Sequence, residues 1–170
     1  MRIEQINQAS TAEAAHMFLQ CCTSQQWIDL MVASRPFASA QAVRDHANAH
    51  WRAMGEADFL QAFDGHPKIG DVGSLKAKYA NTKGLAAGEQ SGVNIACDEI
   101  IQRLADGNSK YQDKFGFIFI VCATGKSAVE MLELLQTRLP NDRATELLNA
   151  AEEQRKIFHI RLNQLLEDAQ

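Results

Sequence analysis

The sequence predicts an all-α fold: one helical bundle spanning residues 1–170, with a short buried extended segment near 117–123. Three observations lead there. Helix-start signals of the Ser-x-x-Glu kind recur along the chain. Apolar residues between them follow the helical period. Only one run, Phe117-Ile118-Phe119-Ile120-Val121-Cys122-Ala123, is continuous and β-prone, and it has no second strand to pair with.

The elements follow in order. Ser10-Thr11-Ala12-Glu13 forms a capping box ahead of a helix over 14–22, and Thr23 to Gln26 repeats that logic for a second helix. The second helix must end before Arg35-Pro36, because proline disfavours helical geometry in the residue before it. Ser39 caps a third helix over 40–54, stopped by Gly55. A short helix over 56–63 leads to Asp64-Gly65, and 66–73 reads as a loop. A long helix is expected over 86–105, with Val93, Ala96, Cys97, Ile100 and Leu104 as its apolar stripe. Ser127-Ala128-Val129-Glu130 opens the next helix, which stops before Pro140. Asp142 caps the last one, reaching about 167 with Leu147, Leu148, Ala151, Phe158, Leu162 and Leu165 as its stripe. The 117–123 run should be buried on both sides. Its backbone N–H and C=O groups must then find partners, and a bound polar ligand is one candidate.

Composition narrows the function classes. Hydrophobic residues make up 46% and charged residues 22% of 170 positions, ordinary for one globular domain. The net charge of −4, with no cluster of Lys and Arg, argues against nucleic-acid and anionic-membrane partners. The longest apolar run is far too short for a membrane span, and neither a secretory leader nor a peroxisomal tail is recognised, so a cytoplasmic protein is expected. Cys21, Cys22, Cys97 and Cys122 form no C-x-x-C pair. They read as small buried hydrophobes in a reducing compartment, with Cys21 and Cys22 on different faces of a helix.

The most informative stretch is His66-Pro67-Lys68-Ile69-Gly70-Asp71. Pro67 keeps His66 out of the helical region, so the imidazole rides on a stiff loop just after a helix. A histidine so placed is either a pre-organised proton shuttle or a helix-end residue bonded to a backbone carbonyl. Glu89 continues the face of residues 93, 96, 97 and 100 and needs a partner if buried there; as a first-turn residue it would instead favour the helix dipole. Arg161 sits at the edge of the last helix's apolar face, placed to snorkel or to clamp a carboxylate. His46 and His50 are four apart, as two zinc ligands might be, but Ala47 stands where a metalloprotease needs Glu and no third ligand is evident. Asp64 and Asp71 bracket His66 and read as capping and turn residues before metal ligands.

Taken in order, the blocks 63–71, Glu89-Gln90-Ser91-Gly92-Val93, Lys114-Phe115-Gly116-Phe117 through Ala123, and Ile160-Arg161-Leu162 resemble the 2-oxo-4-hydroxy-4-carboxy-5-ureidoimidazoline (OHCU) decarboxylase family over nearly the whole chain. The resemblance implies decarboxylation of that anionic purine-breakdown intermediate to (S)-allantoin, with no metal or organic cofactor, by a homodimer. It makes His66 the catalytic histidine and Glu89 its acidic partner. It makes Pro67, Gln90, Arg161 and the backbone of Phe119, Ile120, Val121, Cys122 and Ala123 substrate contacts. Ala86 stands where the family often has serine, which removes a hydroxyl contact worth about 0.5–1.5 kcal/mol. Two other readings remain beside it. One is a metal-dependent hydrolase using His66, Asp64 and Asp71, with His46 and His50. The other is a helical interaction module without catalysis.

Overall fold

The computed structural model describes residues 3–67, 71–79 and 90–167, the side chains of 78 and 90–97 excepted. Among the described residues there are nine helices and no strand, as expected for an all-α fold. The chain divides into two compact units: Met1–His66 with Leu147–Gln170, and Pro67–Glu146.

The first unit holds α1 (Ile3–Gln8), α2 (Thr11–Leu19), α3 (Gln25–Ala33), α4 (Ala40–Arg52), α5 (Glu56–Asp64) and most of α9 (Arg143–Glu167). Ser10 caps α2 in a reciprocal box with Glu13, and Ser24 and Ser39 cap α3 and α4. Three polar residues thus fix three helix starts by satisfying N–H groups that would otherwise have no partner. Phe158 of α9 lies at the centre of the core, with its ring 5.1 Å from Trp27 and 5.6 Å from Trp51. Both indoles have their N–H satisfied, Trp27 by the Ala47 carbonyl and Trp51 by that of Ala151, so they contribute aromatic area without a buried orphan.

The second unit holds α6 (Val72–Tyr79), α7 (Gln90–Phe115), α8 (Ala128–Arg138) and the first turn of α9, with α7 packed on both α6 and α8. Its core includes Leu75, Ile101, Leu104, Tyr111, Phe115, Phe117, Ile120 and Leu135. The Ser127–Glu130 box caps α8, and Asp142 caps α9 by accepting from the Thr145 N–H.

Several expectations change. Cys21 and Cys22 lie in the turn after α2, which ends at Leu19, and both are buried there. Gly55 does not stop α4. It has φ −103°, and it opens α5, where Asp58 accepts its N–H. The 66–73 loop is shorter than expected because Asp71 accepts the Ser74 N–H and starts α6. The long helix does not end near 105 but runs to Phe115, where Gly116 at φ +82° terminates it. Burial explains the extension: Tyr111 and Phe115 continue the stripe of Ile101 and Leu104, and packing outweighs the poor helix propensity of Gly107 and Asn108. The expected start of this helix near 86 lies outside the described residues. Leu148 is 65% exposed. It lies two positions from each of the buried residues Glu146 and Ala150, about 200° around the helix.

The 117–123 segment is irregular and only partly buried. Phe117 and Ile120 are in the core, while the others are half-buried. Two of its carbonyls find partners in side chains of the same unit. Arg138 Nη1 donates to Ile120 O at 2.7 Å, and Lys126 Nζ donates to Cys122 O at 2.7 Å.

Where α5 ends, Gly65 approaches Thr23 so closely that an added Cβ would lie 2.1 Å from Thr23 Oγ1. That hydroxyl is itself fixed, donating to the carbonyls of Gln61 and Ala62. Gly65→Ala is therefore expected to destabilise the protein by about 1–3 kcal/mol. Urea titration checks this, and a midpoint unchanged from wild type would show that the turn yields freely.

Candidate active site around His66

His66 follows Gly65 at the end of α5, and its N–H donates to Phe63 O at 3.1 Å. The end of α5 is anchored to the turn after α2. Besides Thr23, the Gln25 N–H donates to Gln61 Oε1 at 2.8 Å. That same turn receives Arg161 from α9, whose Nη1 donates to Cys21 O at 3.3 Å. Residues 21–25 thus tie His66 and Arg161, 95 positions apart in the sequence, to one scaffold within the first unit.

The half-buried imidazole meets α9 directly: His66 Nε2 lies 2.5 Å from Gln154 Oε1. Gln154 is 1% exposed and seven positions, or two turns, before Arg161, so both project from the same side of α9 with Phe158 between them. Burial holds His66 below the ordinary histidine range; the Gln154 hydrogen bond opposes this, and the Arg161 charge adds to it. The imidazole is accordingly neutral at pH 7 and available as a base. Burial pushes the Cys21 thiol up to about 12 and the Cys22 thiol up to about 11, so these two stay protonated at neutral pH.

Of the residues singled out from the sequence, the structure brings together His66 and Arg161. Pro67 follows His66 and is exposed, at the start of the second unit. Phe119 to Ala123 lie in the second unit, with the carbonyls of Ile120 and Cys122 engaged as described. Ala86 and Glu89 lie outside the described residues, as does the side chain of Gln90. Asp71 caps α6, Asp64 is exposed, and His50 Nε2 is 2.7 Å from Ser34 Oγ. The residue that sequence reasoning missed is Gln154. Its signal was an uncharged polar side chain on the Ala150–Ala151–Phe158–Leu162 stripe of α9, where the period calls for an apolar one.

A family profile described as OHCU decarboxylase matches residues 7–163. The chain belongs to the OHCU decarboxylase family. The match runs through both compact units. Among individual relatives, a "Uric acid degradation bifunctional protein TTL" of Arabidopsis thaliana is 33% identical over 87% of this chain and 46% of its own length. A "Uric acid degradation bifunctional protein" of Bacillus sp. is 26% identical and is matched over 33% of its length, so the chain spans less than half of either bifunctional protein. A "Putative 2-oxo-4-hydroxy-4-carboxy-5-ureidoimidazoline decarboxylase" of Homo sapiens is 28% identical over 98% of this chain and 96% of its own. A crystal structure of an OHCU decarboxylase in the presence of (S)-allantoin superposes with TM-score 0.71 and 34% identity, covering 89% of this chain and 97% of that one.

Three histidines of the first unit share one electrostatic situation. Burial is the largest cause lowering His50, His66 and His159 below their ordinary value of 6.5. The unfolded chain then binds more protons than the folded one on the acid side of neutrality. Their contribution to stability is complete above about pH 6.5 and is lost as pH falls through the lower folded values. Denaturant titrations at pH 7.5 and 5.5 are expected to show lower stability at 5.5, and the opposite order would contradict neutral burial of these rings.

Proposed function

We propose that this protein decarboxylates 2-oxo-4-hydroxy-4-carboxy-5-ureidoimidazoline to (S)-allantoin in urate degradation, without metal or organic cofactor. The observation that carries the reading is a neutral, half-buried imidazole held beside α9, with the Arg161 guanidinium acting on it from the same helix. Membership of the family supplies the substrate class.

Loss of carbon dioxide leaves an electron pair behind, and cofactor enzymes supply a sink for it. This substrate has its own: the carbon losing carbon dioxide adjoins a ring C=N bond, and the pair flows into it while the ring nitrogen takes up a proton from water. The resulting enol-like intermediate ketonises when its hydroxyl proton leaves and the neighbouring carbon gains a proton on one face. His66 is the group that takes and manages the hydroxyl proton. Arg161 holds substrate oxygens through its forked donors. By position in the family, Glu89 is the acidic partner, and Pro67, Gln90 and the 119–123 backbone are substrate contacts; these roles, the homodimer and the cytoplasmic location belong to the same proposal. Among the described residues, no helix is long and apolar enough to cross a membrane.

The test is to generate the unstable intermediate from urate with uricase and the upstream hydrolase, add this protein, and follow chiral allantoin by circular dichroism. Accumulation of (S)-allantoin in proportion to added protein, unchanged after exhaustive chelation and dialysis, is the expected result. Racemic product at the spontaneous rate would reject the activity, as the interaction-module reading predicts. Loss of activity on chelation would reject the cofactor-free part alone.

A further inference from the structure

The amide of Gln154 is unusual for a buried side chain. Its Oε1 meets His66, yet its Nε2 is buried with no hydrogen-bond partner among the described residues. An unsatisfied buried donor costs about 1–3 kcal/mol. A glutamine serving only to pack the core would have both ends satisfied or be replaced by leucine, as the neighbouring positions of the α9 stripe are apolar. The geometry also constrains the imidazole. An amide oxygen only accepts, so the His66 nitrogen facing it must carry the hydrogen, and in the neutral ring the other nitrogen, Nδ1, is then the unprotonated one.

We infer that Gln154 is a positioning residue that locks His66 as its Nε2–H tautomer, with Nδ1 free to accept the substrate proton, and that the spare Gln154 N–H is the donor for a substrate oxygen bound beside the ring. This rests on the proposed role of His66 but assigns a residue that the family blocks in the sequence leave out. The scaffold suits such a function. Gln154 sits mid-helix on α9 between buried Ala151 and Phe158, while His66 is pinned through Thr23 and Gln25 to the turn after α2. The end of α5 that carries His66 is held to the turn after α2 at two points, so the ring is presented to the Gln154 amide before substrate arrives. Arg161, on the same side of the helix, leaves the amide two turns away and donates to Cys21 O instead, so the two side chains do not compete for one acceptor.

The first measurement needs no activity. Nitrogen-15 NMR of the histidine rings of the wild-type protein at pH 7.5, with the His66 signals identified by their loss in His66→Gln, is expected to show His66 with the hydrogen on Nε2. A protonated Nδ1 with a bare Nε2 overturns the inference, whether or not the protein is a decarboxylase. The second measurement uses two variants, each checked for a native circular dichroism spectrum. Gln154→Leu removes acceptor and donor together; its ring signals should move to a mixture of tautomers, and kcat should fall by about 10²-fold, the low end of an acid–base contribution. Gln154→Glu keeps an acceptor on Nε2 and removes the N–H; its tautomer should stay as in wild type, while KM rises more than kcat falls. A Leu variant that retains the wild-type tautomer and kcat, or a Glu variant with unchanged KM, contradicts the positioning and donor roles respectively. If wild-type protein shows the Nε2–H tautomer but makes no (S)-allantoin, the assigned activity fails and the ring geometry stands.

Discussion

His66→Ala is expected to lower kcat/KM by about 10²–10⁴-fold, the range of a general acid–base group, while leaving the helical spectrum intact. The fold survives because His66 is half-buried and lies outside the aromatic core around Phe158. Some stability is lost, since Gln154 would lose its hydrogen bond to the ring and its Oε1 would join Nε2 as a buried orphan. That costs about 1–3 kcal/mol, or a few degrees of melting temperature. His50→Ala is the matched control. It breaks the bond to Ser34 on the α3 and α4 side of the same unit and should leave turnover at the wild-type level. Chiral allantoin formation measured for both variants decides the assignment, and near-normal turnover by His66→Ala would remove the imidazole from the mechanism.

Glu146→Leu is expected to be the most destabilising single change in the second unit. Glu146 is fully buried and Arg138 is 8% exposed, with Arg138 Nη2 2.9 Å from Glu146 Oε2. The Tyr111 hydroxyl also donates to this carboxylate, and Asn141 Nδ2 donates to its other oxygen at 3.0 Å. Burial first, and then the carboxylate, raise the Tyr111 phenol, which stays protonated as a donor. Removing the acid leaves a guanidinium uncompensated in the interior, a loss of about 3–5 kcal/mol. At about 2–4 °C per kcal/mol for a chain of this size, the melting temperature should fall by roughly 6–20 °C. Arg138→Met combined with Glu146→Leu should recover part of it, because the unpaired charge is gone. Thermal unfolding of the single and double variants checks both statements; a single variant within about 1 kcal/mol of wild type would mean that the network contributes little. The same Arg138 holds the Ile120 carbonyl, so limited proteolysis near 117–123 should rise with the loss.

Several helix starts were legible in the sequence because capping is local. Ser10, Ser39, Ser127 and Asp142 each reach an N–H three residues on, as expected, whereas α3 is capped by Ser24 one residue after the expected Thr23, whose hydroxyl donates instead to the carbonyls of Gln61 and Ala62. Family membership was legible too, since the His66, Glu89 and Arg161 blocks are short and ordered along the chain. Helix ends were less legible. Gly55 carries the residue type of a stop but begins a helix, and 106–115 contains poor helix formers that burial of Tyr111 and Phe115 overrides. Tertiary structure alone decided who satisfies whom. Arg138 takes Glu146, Tyr111 and the Ile120 carbonyl, and Gln154, 88 positions from His66, fixes the imidazole. Such pairings depend on which buried donor meets which buried acceptor once helices pack, and desolvation makes each match matter; no period or motif along one strand of sequence encodes that meeting.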